Sequence, residues 1–252
     1  MLLNSITLGS GAPVVLLHGL FGAAQNLGAI QRHLAPHYRT IALDLRNHGN
    51  SPHAASMSYA DMATDVRQTL CAENAWPAAL IGHSMGGKAA MRLALESPEV
   101  TKLMVMDIAP VRYQSGFRAF AEAMQAVPLG PDLTRAEASR LMASVVTDSG
   151  VRAFLLQNLR VGAQPSWRIG LDEIAAALPV IGDFETPGGA VYAGPTLFAG
   201  GVRSDYILPE YRPVIRALFP AARFATVKDA GHWLHADNPA ATAQLAADFL
   251  AA

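Results

Sequence analysis

Gly82-His83-Ser84-Met85-Gly86 follows directly on the apolar run Ala78-Ala79-Leu80-Ile81 and precedes a helix-compatible stretch, Lys88 to Glu96. A strand that becomes a helix across one residue forces that residue into a sparsely populated backbone conformation. Side chains around it must then be small, a need met by glycines two before and two after Ser84. Such a turn lifts the Ser84 hydroxyl off the end of a sheet. It also aims the first amides of the following helix at the same spot. The pattern therefore demands a strand–turn–helix unit, and with it a layered α/β fold.

The rest of the chain supplies more units of that kind. Pro13 to Leu17 is a short continuous apolar run, the signature of a strand buried on both faces. Tyr38 to Leu43, Lys102 to Met106, Thr196 to Ala199 and Arg223 to Val227 read the same way, and Leu2 to Leu8 gives one strand before Pro13. Helical periodicity occupies Gln25 to Leu34, Asp61 to Leu70 with Ser58 as N-cap, and Asn238 to Leu250 with Pro239 near its start. This alternation predicts a mostly parallel sheet with helices on both faces, whose ligands bind at the carboxyl ends of the strands. It breaks between 111 and 192. There the patterns are helical (Phe117 to Val127, Thr134 to Val146, Val151 to Leu159, Leu171 to Leu178) and no strand is expected. The reading is a core of 1–110 and 193–252, with 111–192 inserted as a helical cap over the strand ends.

Bulk properties narrow the function classes. With 252 residues, 51% of them hydrophobic, the chain has material for one large core. Its 19 basic and 20 acidic residues give a net charge of −1, so neither nucleic acid nor an anionic membrane is expected as partner. The single cysteine, Cys71, rules out an internal disulfide and is expected to be a buried, inert thiol. The first residues lack the basic and long apolar stretches of a signal peptide, and no window nears the ~18 apolar residues of a membrane span. A cytoplasmic setting is the expectation. No pair of histidines has metal-ligand spacing with supporting carboxylates, so no metal and no cofactor are expected.

A serine hydroxyl attacks only when a base takes its proton. His232, in Asp229-Ala230-Gly231-His232-Trp233, follows the last strand, where a loop brings it over Ser84; an imidazole titrates near neutrality and suits the task. An oxyanion needs two donors. The Met85 amide is one. The second is expected from the loop His18-Gly19-Leu20-Phe21-Gly22, with Leu20 preferred over Phe21. The carboxylate behind the histidine is either Asp107, which ends an apolar strand, or Asp205; both lie between Ser84 and His232, and Asp107 is favoured. His33, His37 and His53 read as solvated, and His235 as a structural hydrogen-bonding partner. Phe117, Phe120, Met124, Phe154, Leu155 and Trp167 are candidates for an apolar acyl pocket, although the packing face of cap helices accounts for them better.

Three segments carry a family likeness: His18-Gly19-Leu20-Phe21-Gly22, Asp44-Leu45-Arg46-Asn47-His48-Gly49-Asn50-Ser51 and Gly82-His83-Ser84-Met85-Gly86-Gly87-Lys88. With Asp107-Ile108-Ala109-Pro110 and Gly231-His232-Trp233-Leu234-His235-Ala236, the chain resembles the α/β-hydrolase superfamily over essentially its whole length, and within it the bacterial YbfF-type esterases and their mitochondrial abhydrolase relatives. The resemblance implies a Ser-His-Asp triad, a helical cap, no cofactor, and hydrolysis of short acyl esters or thioesters. In many such hydrolases the acid stands after the penultimate strand. Here that slot falls near Ser204, one residue before Asp205, which adds to the case for Asp107. An Asp44–Arg46 pair is expected to brace the loop beside the oxyanion site. The resulting expectation is an esterase acting on a small acyl ester, with no obligate protein partner. Lactone or thioester cleavage on the same triad, and slow turnover in a ligand-binding receptor, are the alternatives.

Overall fold

The computed structural model describes residues 1–114 and 116–252. Seven strands form one sheet: β1 (Ser5–Leu8), β2 (Pro13–Leu17), β3 (Arg39–Leu43), β4 (Ala78–His83), β5 (Val100–Met106), β8 (Thr196–Gly201) and β9 (Ala222–Val227). Their order is β1-β3-β2-β4-β5-β8-β9; β1 pairs antiparallel with β3 and every other pairing is parallel. β4 lies at the centre and is buried at all six positions. That is why Ala78-Ala79-Leu80-Ile81 shows no alternation: both of its faces are covered.

Helices α1 (Gly28–Leu34) and α10 (Pro239–Ala251) pack on one face of the sheet, with Leu16, Ile81, Met104 and Phe249 in one cluster. Helices α2 (Tyr59–Ala72) and α3 (Met85–Glu96) pack together on the other, where Val15, Leu17, Leu80, Met62 and Ala90 join the larger cluster. The expected cap on α2 is present, with the Asp61 amide donating to Ser58 Oγ at 3.1 Å. At α10, Asn238 caps and Pro239 occupies the first turn.

Between β5 and β8 run α4 (Phe117–Gln125), α5 (Arg135–Met142), α6 (Ser149–Leu156) and α7 (Leu171–Gly182). A two-residue antiparallel pair, β6 (Leu159–Arg160) with β7 (Ser166–Trp167), separates α6 from α7, where no strand was expected. Strands of two residues are too short to leave a periodic trace. α7 continues past Leu178 through Pro179 to Gly182. Two short helices outside this segment, α8 (Arg212–Leu218) and α9 (Leu234–Asp237), complete the chain.

Two local expectations are corrected. Cys71 is exposed, because it falls on the outer face of α2 while Leu70 and Thr69 face inward. Asp44 and Arg46 do not pair. The Asp44 carboxylate accepts from the amides of Ala24 and Asn50, both at 2.8 Å, and from Asn4 Nδ2. Arg46 turns the other way, its Nε donating to Asp65 Oδ2 at 2.7 Å and its Nη1 to the Ser56 carbonyl. The strand ends at Leu43 and the backbone turns at Arg46 and Asn47, so the two side chains leave the loop in different directions and brace it separately.

Candidate active site

Ser84 sits between β4 and α3 at φ 51°, ψ −118°, a strained conformation for a residue with a side chain. The glycines around it are required sterically. A Cβ on Gly82 would lie 2.3 Å from the Gly86 carbonyl oxygen, and a Cβ on Gly86 would lie 2.4 Å from that of Leu17. The turn is tied back by the Ser84 amide, which donates to the Met106 carbonyl at 2.9 Å.

The structure brings Ser84, His232 and Asp107 into one hydrogen-bonded chain. Ser84 Oγ and His232 Nε2 are 3.1 Å apart, and His232 Nδ1 lies 2.8 Å from Asp107 Oδ2. With the proton on Nδ1 donated to the carboxylate, Nε2 is left to accept from the serine. Asp107 is fully buried and also adopts a positive φ, 55°. Its carboxylate has further donors: the Gly201 amide reaches Oδ1 at 3.1 Å, and Ser204 Oγ donates to Oδ2. Ser204 therefore contributes a hydroxyl to the carboxylate from the neighbouring strand end. Asp205 is exposed, and among the described residues its carboxylate takes no hydrogen bond or ion pair.

Several groups hold the imidazole. The Tyr206 ring stacks on His232 at 4.0 Å between centroids, 23° between planes. His83 Nε2 donates to the His232 carbonyl at 2.8 Å, and burial, followed by the nearby His235 and His232 charges, keeps His83 well below the usual histidine range. His235 does not act as the expected hydrogen-bonding partner. Its ring packs edge-on against His83 at 4.6 Å, its Nδ1 has no partner among the described residues, and burial pushes it down to about 4.

The loop after β2 distinguishes Leu20 from Phe21. The Phe21 amide is occupied, donating to His48 Nε2 at 3.1 Å, while His48 Nδ1 donates to the Arg46 carbonyl. Burial first, then the His18 charge, lowers His48 to about 3, so its ring stays neutral and able to accept. The Leu20 amide has no acceptor among the described residues, and neither has that of Met85 at the start of α3. His18 anchors the same loop, accepting from the Leu45 amide at 3.0 Å. Nothing in the sequence pattern pointed to His48 or Ser204 in these roles, since each acts through a partner distant along the chain.

Two clefts meet at Ser84. One, about 460 Å³ including its open mouth, is lined by His232, Trp233, His235, Phe120 and Phe154 among others. The other, about 390 Å³, is lined by Met85, Ile108, Tyr113, Leu178, Ile181 and Tyr206 among others. Leu20 and Phe117 stand at both. Of the six apolar candidates, Phe117, Phe120, Phe154 and Leu155 reach the first cleft; Met124 is packed in the core and Trp167 lines neither cleft. Among the described residues no group of three or more His, Cys, Asp or Glu side chains is arranged to hold a metal ion. Among the described residues no helix is long and apolar enough to cross a membrane.

A strand order reversing beside β2 and β4, a serine on a strained strand-to-helix turn and a late histidine above it define a class. The family model for the alpha/beta hydrolase fold matches residues 12–239, and the chain belongs to that family. Among its relatives, the sn-1-specific diacylglycerol lipase ABHD11 of Mus musculus is 41% identical over 248 residues, covering 94% of this chain and 80% of the relative. Esterase YbfF of Escherichia coli is 39% identical over 234 residues, covering 91% and 89%. The solved structure of a marine microorganism esterase superposes with a TM-score of 0.95 at 34% identity, covering 98% of this chain and 99% of that one.

Proposed function

We propose that this protein is a serine esterase that cleaves short acyl esters through an acyl-enzyme on Ser84. It is a carboxylic ester hydrolase, as its esterase and lipase relatives are named. The observation that carries the reading is the 3.1 Å and 2.8 Å chain from Ser84 through His232 to Asp107. In the first step Ser84 Oγ attacks the acyl carbon as its proton passes to His232 Nε2. The carbonyl oxygen becomes an oxyanion facing the Leu20 and Met85 amides. The C–O bond to the alcohol then breaks, and His232 returns its proton to the leaving oxygen. Water deacylates the serine by the same route, with Asp107 holding the imidazole throughout.

The two clefts divide the substrate. The leaving oxygen must lie next to the group that protonates it, so the alcohol occupies the cleft that contains His232. The acyl group then extends into the cleft beside Met85, whose walls are largely apolar. Its polar groups are already engaged: Tyr59 Oη donates to the Ile181 carbonyl and Tyr113 Oη to that of Tyr206, both at 2.6 Å. A charged acyl terminus would find no free donor there and would be penalised for its desolvation, so the acyl group is apolar. Segment 111–192 acts in this reading as a cap on a core of 1–110 and 193–252, closing both clefts through α4, α6 and α7. A cytoplasmic location belongs to the same reading, and cell fractionation checks it.

Ser84→Ala is expected to abolish both p-nitrophenyl butyrate hydrolysis and labelling by a fluorophosphonate. Turnover of the variant at the wild-type rate would overturn the assignment.

A further inference from the structure

Lys88 is 1% exposed, yet it ends in an ammonium and takes no part in the chemistry described above. It lies one turn along α3 from Ser84, its amide donating to the Ser84 carbonyl at 3.0 Å. Its three donors are all used on backbone oxygens: Val111 at 3.0 Å, Gly182 at 3.1 Å and Asp183 at 2.8 Å. Among the described residues no carboxylate lies within 4.0 Å of it. The faces of Tyr113 and Tyr59 stand 5.0 and 5.7 Å from Nζ. Burial pulls the ammonium down to about 7, opposed by the Asp183 charge. A cation kept in so dry a place is tolerable only because carbonyl oxygens and aromatic faces surround it.

The identity of those carbonyls gives the arrangement its meaning. Val111 lies just after β5, where the inserted segment begins, and Gly182 and Asp183 stand at the end of α7, the last helix of that segment before β8. The two crossings also touch each other, the Tyr113 amide donating to the Gly182 carbonyl at 2.8 Å. Tyr113, Ile181 and Gly182 line the cleft assigned above to the acyl group, and Lys88 lines it with them.

We propose that Lys88 is a positioning residue: its ammonium fastens both crossings of the 111–183 segment to the helix that begins at Ser84, and so sets the depth of the acyl cleft. This deepens the reading of Ser84 as the nucleophile and rests on it. The fastening acts where a longer acyl chain ends. Tyr113, Ile181 and Gly182 line the same cleft as Ser84, so on this proposal a six-carbon acyl group should feel the crossings more than a two-carbon one.

The test compares wild type with Lys88→Met, which keeps the length of the side chain and removes its donors, and with Lys88→Gln, which restores part of the donor set. Two readouts are taken. Steady-state kinetics on p-nitrophenyl acetate and hexanoate should show KM for hexanoate rising tenfold or more in the Met variant, with a smaller loss on acetate and an intermediate value for Gln. Hydrogen exchange of the full chain should show faster exchange at residues 111–114 and 180–185 together, with β4 and β5 unchanged. Exchange requires no turnover, so it decides the fastening even if fluorophosphonate labelling shows that Ser84 is not the nucleophile. Equal losses on both esters, or unchanged exchange at the two crossings, would overturn the proposal. If the Met variant does not fold, the Gln variant gives both readouts.

Discussion

At the scale of single residues, the carboxylate behind His232 was the ambiguous choice, and hydrogen bonding resolves the geometry. A buried anion must be matched by donors. Asp107 has three, from His232, the Gly201 amide and Ser204, whereas Asp205 faces solvent one residue beyond Ser204. Loss of the orienting carboxylate in a serine triad costs about 10⁴ in turnover. Asp107→Asn is accordingly expected to lower kcat by about that factor, and Asp205→Asn to change it by less than twofold. Measuring kcat on p-nitrophenyl butyrate for both variants checks this; a crippled Asp205→Asn beside a competent Asp107→Asn would reverse the assignment. Ser84, His232 and Asp107 were legible because each ends or follows an apolar strand and so carries a local signature. His48 has none. Its function of occupying the Phe21 amide depends on a loop 27 residues away in sequence.

At the scale of elements, the β4–α3 turn is the most constrained piece of the chain. Gly82 and Gly86 face each other across it with no room for a methyl group, since the Gly82 Cβ position is 2.3 Å from the Gly86 oxygen. The obstacle is backbone and is unable to swing aside like a flexible side chain. Gly82→Ala should therefore destabilise the fold by about 3 kcal/mol, at the upper end of overpacking costs. Urea unfolding reads the loss, and a wild-type midpoint would sink this account of the motif. Longer elements were read well. β2 and β4 declared themselves by continuous apolar runs, and α10 by its helical pattern with Pro239 near its start. The β6–β7 pair and α9 were missed because two to four residues are too few for either period to repeat. Cys71 was misjudged for a related reason, because its exposure depends on which face α2 presents to α3.

At the scale of the whole molecule, folding surrounds the site with buried, uncharged histidines. Burial is the first cause in each case; it holds His48 at about 3 and His235 at about 4, and lowers His18 and His83 as well. In the unfolded chain these rings titrate near 6.5. Between those values the unfolded state binds more protons than the folded one, so the stabilisation is complete above pH 6.5 and shrinks as the pH falls. From pH 6.5 to 4.5 the loss amounts to about 2 kcal/mol for each of His48 and His235, or about 4 kcal/mol for the two together, as an order of magnitude. Urea unfolding at the two pH values measures it. Equal midpoints would mean that these rings are protonated, or already exposed, in the folded protein.

Periodicity and the glycine-flanked serine by themselves determined the layered α/β architecture, the turn that carries Ser84, and the strand-end positions of Asp107 and His232. These are local properties: strand burial, helix capping and steric room at a turn are all written within a few residues. Tertiary structure alone decided which amide of the His18–Gly22 loop is free, why Ser204 stands against Asp107, and where Arg46 and Asp44 find their partners. It also decided that the Lys88 ammonium reaches both crossings of the inserted segment. Each of those contacts joins groups whose separation along the chain carries no information about their distance in space. A hydrogen bond is specified by a few ångströms and an angle, and only the packed chain sets those.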